Sequence, residues 1–289
     1  MITVFGASGN VGRELVAMLR AGGHPVRVVT RQERGPGWGD GVERVVGDLG
    51  DPATVARALD GADRLFWTLL LLDDAIDDRA IVRAAQRAGV RHVVLLSSIG
   101  ATMPVPIGRH HREREEWLEQ SGLAWTMLRP GYFMSNALQW AGTIASAGRV
   151  MTPMPDGPTA PIAPRDIAEV AALALTRPGH EGAVRTLTGD ELLSTRDQVE
   201  VLARALGRPI EVVEMSMEAA AEALRRAGRP DWIIESHASM WKEVRAGRAG
   251  RRTDTFAALT GHAPQRFAAW CEAHRAAFAG TGPAPASRR

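Results

Sequence analysis

The strongest constraint on this chain lies at its start. Gly6-Ala7-Ser8-Gly9-Asn10-Val11-Gly12 leaves a short apolar run, Ile2–Phe5, and opens an amphipathic one. Glycines at this spacing let a strand turn sharply into a helix. They also let backbone amides approach a phosphate, and they let helix and strand pack closely. The helix start adds its own amides and the positive end of its dipole. A second β-branched run, Val26–Thr30, follows at about the 20-residue interval such a unit needs. The loop is therefore read as a dinucleotide cradle, with Gly6, Ala7, Ser8, Gly9, Asn10 and Val11 as its contacts.

Further strand-like runs are Val42–Val46, Leu65–Leu71, Val93–Ser97, Trp125–Arg129 and Val184–Leu187. Helical patterns between them begin near Val11, Pro52, Asp74, His111, Asn136 and Arg165. Continuous apolar strands alternating with helices predict a parallel sheet covered on both faces. Right-handed crossovers make it an α/β, Rossmann-type doubly wound sheet. From Leu192 the pattern turns helical, over Arg196–Leu206, Met217–Ala227, Trp232–Ala246 and Pro264–Ala279. The expected organisation is a nucleotide-binding domain over 1–190, with parts of a substrate lobe from about 133–165. A smaller, mainly helical lobe follows over 191–279, and a loose Pro/Gly/Ala/Ser tail over 280–289.

The second strand runs into Arg31. An acid there would hold the ribose 2′-hydroxyl of NAD, whereas an arginine pairs with the 2′-phosphate of NADP. NADP is expected in preference to NAD, although Glu33 lies two residues on. Asp48 after the third strand is placed either to touch the adenine or to cap its loop. Leu49, Leu70, Ser97, Pro130, Gly131, Tyr132 and Phe133 complete the expected cofactor contacts.

Ligands of such sheets sit beyond the carboxyl ends of the strands. That selects Ser97 and Ser98, each either a hydrogen-bond partner for a substrate carbonyl or a strand-end cap. It also selects Pro130-Gly131-Tyr132-Phe133 as the floor of the nicotinamide site. A Tyr activated by a Lys four residues later is absent, because the single tyrosine, Tyr132, and the single lysine, Lys242, are far apart. Within His110-His111-Arg112-Glu113-Arg114-Glu115, His111 and Glu115 share a helix face. His111 is the expected proton donor, an imidazole with the right ordinary pKa near neutrality, the alternative being a solvated helix start; Ser97 and Tyr132 are the other candidate catalytic residues. Adjacent histidines do not share a face, so no metal is expected. Ser98, His111, Phe133, Trp232, Met240 and Trp241 are the candidate substrate contacts, the last three alternatively core.

Hydrophobic residues at 45% and charged residues at 24% fit a globular chain. A net charge of +2 with scattered arginines argues against a nucleic-acid partner. One cysteine, Cys271, permits no internal disulfide and is expected to pack as a small hydrophobe. No run approaches the roughly 20 apolar residues of a membrane span. A targeting pattern is also lacking. A cytoplasmic protein, monomer or homodimer, is expected.

These residues together resemble the NmrA-like group of atypical short-chain dehydrogenase/reductases. Carrying the resemblance are Gly6–Gly12 with Arg31, Ala88–Val94 running into Ser97-Ser98, His111 to Glu115 with Ser121-Gly122-Leu123 and Thr126–Asn136, and Ala160–Ala168 with Leu187-Thr188-Gly189. The resemblance implies NAD(P)H binding and several possible activities. One is an NADPH-dependent reductase acting on an apolar conjugated carbonyl, quinone or imine, possible in natural-product metabolism. The alternatives are an NADP(H)-sensing regulator without turnover, and a non-redox lyase, isomerase or cyclase. In the quinone-reductase branch a histidine is expected at the position of His111.

Overall fold

The computed structural model describes residues 1–32, 37–68 and 76–279. In chain order its strands are β1 (Ile2–Val4), β2 (Val26–Thr30), β3 (Val42–Val46), β4 (Arg64–Thr68), β5 (His92–Leu96), β6 (Ala124–Pro130), β7 (Arg149–Thr152), β8 (Ala183–Leu187) and β9 (Glu211–Glu214). Its helices are α1 (Asn10–Ala21), α2 (Pro52–Leu59), α3 (Asp78–Arg87), α4 (Pro106–Glu119), α5 (Ala141–Ala147), α6 (Pro164–Thr176), α7 (Thr195–Leu206), α8 (Met217–Arg226), α9 (Asp231–Arg245), α10 (Thr255–Thr260), α11 (Phe267–Ala273) and α12 (Arg275–Phe278). The chain divides into two compact units. One holds Met1–Met103, Gly108–Pro130 and Pro164–Thr186; the other holds Pro104–Ile107, Gly131–Ala163 and the chain from Leu187 on.

The first unit is built on a seven-stranded sheet of order β3-β2-β1-β4-β5-β6-β8. The pairs from β3 through β6 are parallel, with Val4 opposite both Val28 and Phe66, and Leu96 opposite Leu128. Strand β5 is buried at every residue, as a strand covered on both faces must be. Alternate side chains point to opposite faces. Leu65, Trp67, Val93 and Leu95 join a core with Ile81 of α3 and Leu118 of α4. The intervening Phe66 and Val94, equally buried, face the other way, and α6 packs against β4, β5, β6 and α1. Strand order reverses between β1 and β4, which is where sheets of this kind leave a crevice for a ligand.

Local signals explain the boundaries. Asp51 caps α2 by accepting from the amides of Ala53 at 3.0 Å and Thr54 at 3.2 Å, with Pro52 in the first turn. Gly89 follows α3 with φ of 72°, a conformation that favours glycine. Helix α4 starts at Pro106 rather than at His111, so His111 lies mid-helix. Helix α3 starts at Asp78, and the expected start at Asp74 lies outside the described residues, as do Leu69–Leu71 of the expected fourth strand.

The second unit is mainly helical, as expected, but it also contains a short sheet. Strands β7 and β9 pair in parallel, Arg149 opposite Glu211 through Thr152 opposite Glu214. Its core gathers Ile144, Val150, Leu202, Phe267, Trp270 and Phe278. The expected helix Pro264–Ala279 is instead α11 and α12, broken at His274, whose ring stacks on Trp270 at 4.2 Å between centroids. Cys271 is fully buried there, and burial pushes its thiol pKa up to about 12. Among the described residues no helix is long and apolar enough to cross a membrane, and no group of side chains is arranged to hold a metal ion.

Candidate active site

The glycine loop begins at the carboxyl end of β1. Gly6 has φ of 73°, and a Cβ there would lie 2.2 Å from Cγ2 of Thr68. At Gly12 a Cβ would lie 2.2 Å from the Gly6 carbonyl oxygen. The amide of Gly9 donates to that same oxygen at 2.9 Å, closing the turn. Ala7 and Val11 are buried and anchor the loop, while Ser8 and Asn10 flank it nearer solvent. Gly9 caps α1 without a side chain, so the leading turn of the helix is left to backbone amides. This is a cradle that fits the pyrophosphate of a dinucleotide.

Arg31 follows β2 and is exposed; among the described residues no carboxylate pairs with it. Glu33 lies outside the described residues, and so does Leu70. Asp48 accepts from the Gly50 amide at 2.8 Å, a cap of its own loop, and Leu49 packs partly against the core.

At the carboxyl ends of β5 and β6 the structure assembles a buried ionic cluster. Glu115 on α4 is fully buried. Its Oε1 accepts from Ser97 Oγ at 2.6 Å and from Arg129 Nε at 2.8 Å. Its Oε2 accepts from Arg129 Nη2 at 2.6 Å and from Arg112 Nη1 at 3.1 Å. Burial opposes the charge, but the hydrogen bonds from Arg129 and Ser97 and the two guanidiniums outweigh it and hold the carboxyl below its ordinary pKa. An ionised carboxylate only accepts, so the single proton of Ser97 is committed to Glu115 and its oxygen can only accept from another group. In this arrangement the Ser97 hydroxyl is turned to Glu115 and presents its lone pairs to a ligand. Ser98 accepts from the Gly100 amide at 3.0 Å, capping the 3-10 turn Ile99–Thr102.

His111 departs from expectation. It is 7% exposed, and burial, reinforced by Arg114, drives its pKa down to about 4. Burial thus favours the neutral imidazole, in which one ring nitrogen still carries a proton and can donate. Glu115, one turn on, accepts its hydrogen bonds from Ser97 and the arginines rather than from this ring.

Pro130 closes β6 and is buried. In the second unit, Gly131 donates its amide to Leu187 O at 2.9 Å, and Tyr132 O accepts from Ile162 at 2.8 Å. Met134 donates to Ile162 O at 2.9 Å, which holds Tyr132 and Phe133 extended. The Tyr132 hydroxyl is buried, without a hydrogen-bond partner among the described residues, and burial raises its pKa. The same unit contains a cavity of about 390 Å³. Phe133, Trp140, Met154, Met215, Met240 and Trp241 form much of its wall, and Tyr132 contributes to it. Of the substrate contacts expected from sequence, Phe133, Met240 and Trp241 are thus brought together, and Trp232 is not part of the wall. Ser98 and His111 belong to the other unit. Trp140, Met154, Met215 and His237 were missed. They come from four separate segments with no shared periodicity, so only folding brings them to one place.

A model of an NAD(P)H-binding family matches residues 6–178. The chain is 41% identical over 285 residues to (4-alkanoyl-5-oxo-2,5-dihydrofuran-3-yl)methyl phosphate reductase of Streptomyces griseus, covering 96% of this chain and 99% of that one. It is 35% identical over 283 residues to the NAD(P)H azoreductase of Xenophilus azovorans, with 96% and 99% covered. The crystal structure of the NADPH-dependent quinone oxidoreductase of Escherichia coli with NADPH superposes with a TM-score of 0.81, at 26% identity, over 94% of this chain and 99% of that one.

Proposed function

This chain belongs to the NAD(P)H-binding, NmrA-like atypical short-chain dehydrogenase/reductases, and from that premise we propose that it reduces an apolar conjugated acceptor, a quinone, enone or imine, with NADPH. The observation that carries the acceptor class is the cavity of the second unit, about 390 Å³ and walled by aromatic rings and methionines. Flat, weakly polar molecules are what such a surface holds best. Two relatives' names, an azoreductase and a quinone reductase, support the acceptor class, and the third, the reductase of a furanone phosphate ester, supports the conjugated carbonyl alone.

The reduced nicotinamide supplies hydride when bound. The glycine loop and Arg31 would hold its phosphates, with Arg31 favouring the 2′-phosphate of NADP. Ser97, fixed by Glu115, offers an acceptor oxygen suited to an amide N–H. Ser97 and His111 are thus read as positioning residues. Tyr132 remains the candidate for hydrogen-bond donation to the acceptor, because its phenol stays protonated and has no partner among the described residues.

The test is to mix the purified chain with NADPH and a panel of quinones, alkylidene lactones, azo dyes and cyclic imines, following the loss of nicotinamide absorbance. Turnover of at least one acceptor supports the proposal. Tight NADPH binding with no oxidation by any of them would overturn it in favour of a sensor.

A further inference from the structure

The cavity of the second unit has a second property: among the described residues no Asp, Glu, Lys or Arg lines it. Part of its polar lining is committed, while the amides of Asn136 and Gln139 and the Tyr132 hydroxyl are neutral groups left for a ligand. Thr143 donates its hydroxyl to Trp140 O at 3.1 Å, Thr159 to Leu193 O at 3.3 Å and Thr195 to Met154 O at 3.1 Å. Thr152 accepts from the Met154 amide at 3.2 Å. His237 is the one imidazole among the described lining residues. Its Nδ1 lies 2.8 Å from the Ile233 carbonyl oxygen, which can only accept, so Nδ1 carries the proton. In the neutral ring Nε2 is then an acceptor. The same ring meets Trp241 edge-on at 6.0 Å.

An anion moved from water into such a space meets only neutral donors, those of Asn136, Gln139 and Tyr132, gains no counter-charge, and loses hydration. A neutral ring loses little and gains contact with Trp140, Trp241 and Phe133. A ligand hydroxyl finds an acceptor in His237. We propose that this cavity is a charge-excluding ring site: it admits neutral aromatic or unsaturated-ring acceptors, including hydroxylated ones, and rejects those whose ring carries a sulfonate, carboxylate or phosphate. The chain would then differ in acceptor from its 41%-identical relative, whose name specifies a phosphate ester. This inference rests on the reductase reading for its catalytic consequence, but not for its binding test.

Two ligand pairs separate the possibilities. In calorimetric titrations of the chain saturated with NADP⁺, 2-naphthol is expected to bind, and naphthalene-2-sulfonate to bind about 100-fold more weakly or not at all. Equal affinities, a preference for the sulfonate, or binding of neither overturns the inference whatever the fate of the reductase proposal. In NADPH oxidation, 1,4-naphthoquinone is expected to exceed its 2-sulfonate by a similar factor in kcat/KM. If neither quinone reacts but the naphthol pair behaves as expected, the reductase reading fails for these quinones and the site stands. Leu224→Arg places a cation in the wall and is expected to narrow the naphthol preference at least about tenfold. Ala223→Lys serves the same purpose if the first variant does not fold. A preference unchanged in a folded variant overturns the assignment to this cavity.

Discussion

Arg129 grips Glu115 through both carboxylate oxygens, Nε to Oε1 at 2.8 Å and Nη2 to Oε2 at 2.6 Å, with the carboxylate fully enclosed. Removing either partner strands a buried charge. Arg129→Ala and Glu115→Ala are each expected to lower stability by about 3–5 kcal/mol. The double replacement Glu115→Leu with Arg129→Met should recover much of that loss, because an apolar pair of similar volume needs no compensation. Urea unfolding of the three variants checks this. A single variant within about 1 kcal/mol of the parent would mean the pair is solvated.

His111 makes the fold acid-sensitive above the range in which carboxylates titrate. The unfolded chain takes up this proton below its ordinary pKa of 6.5, and the folded chain only near 4. The unfolded state therefore binds more protons in between, and stability falls as pH falls through that window. From pH 7 to pH 5 the loss from this residue is about 2 kcal/mol. His92 and His180, also lowered chiefly by burial, act in the same direction. His111→Gln should therefore reduce, without abolishing, the difference between urea midpoints at the two pH values. An unchanged difference would contradict the buried neutral imidazole.

The 2′-phosphate reading of Arg31 predicts a selective loss. Arg31→Ala should weaken NADPH by about 1.5–3 kcal/mol, roughly 10- to 100-fold, and leave NADH unchanged. Parallel calorimetric titrations with the two nucleotides decide it. An equal loss for both would place Arg31 elsewhere.

Gly12 cannot acquire a side chain without moving backbone, since its Cβ would meet the carbonyl of Gly6 and the Cα of Ala7, the latter at 2.9 Å. Gly12→Ala should cost about 1–3 kcal/mol in stability and remove the heat of NADPH binding. A variant that binds NADPH normally would show that the loop has slack.

What the sequence disclosed follows from the range of each interaction. The parallel strands were legible because burial on both faces makes them continuous apolar runs, as Val93–Leu96 shows. The short pair β7 and β9 was not. Each has four residues, and Arg149, Glu211 and Glu214 interrupt the apolar signal. The start of α4 was placed too late because the charged run at His110 to Glu115 hid the proline start at Pro106. The glycine cradle is a local motif and was read directly. The role of Glu115 depends on Arg129, 14 residues away, and on Ser97, 18 residues away. Helical spacing alone suggested His111 as its partner, and the depressed pKa of that ring follows from enclosure that no spacing rule conveys.

The buried hydroxyl of Tyr132 has one more consequence, because the chain contains no other tyrosine. Tyrosine labelled only at the ring carbon that bears the hydroxyl will therefore give a single signal in a nuclear magnetic resonance spectrum, with no assignment to solve. That resonance belongs to a buried phenol with no hydrogen-bond partner among the described residues. Giving it a partner should move the one line, so the protein carries a reporter, at a single known position, of whatever molecule brings a hydrogen-bond acceptor to it.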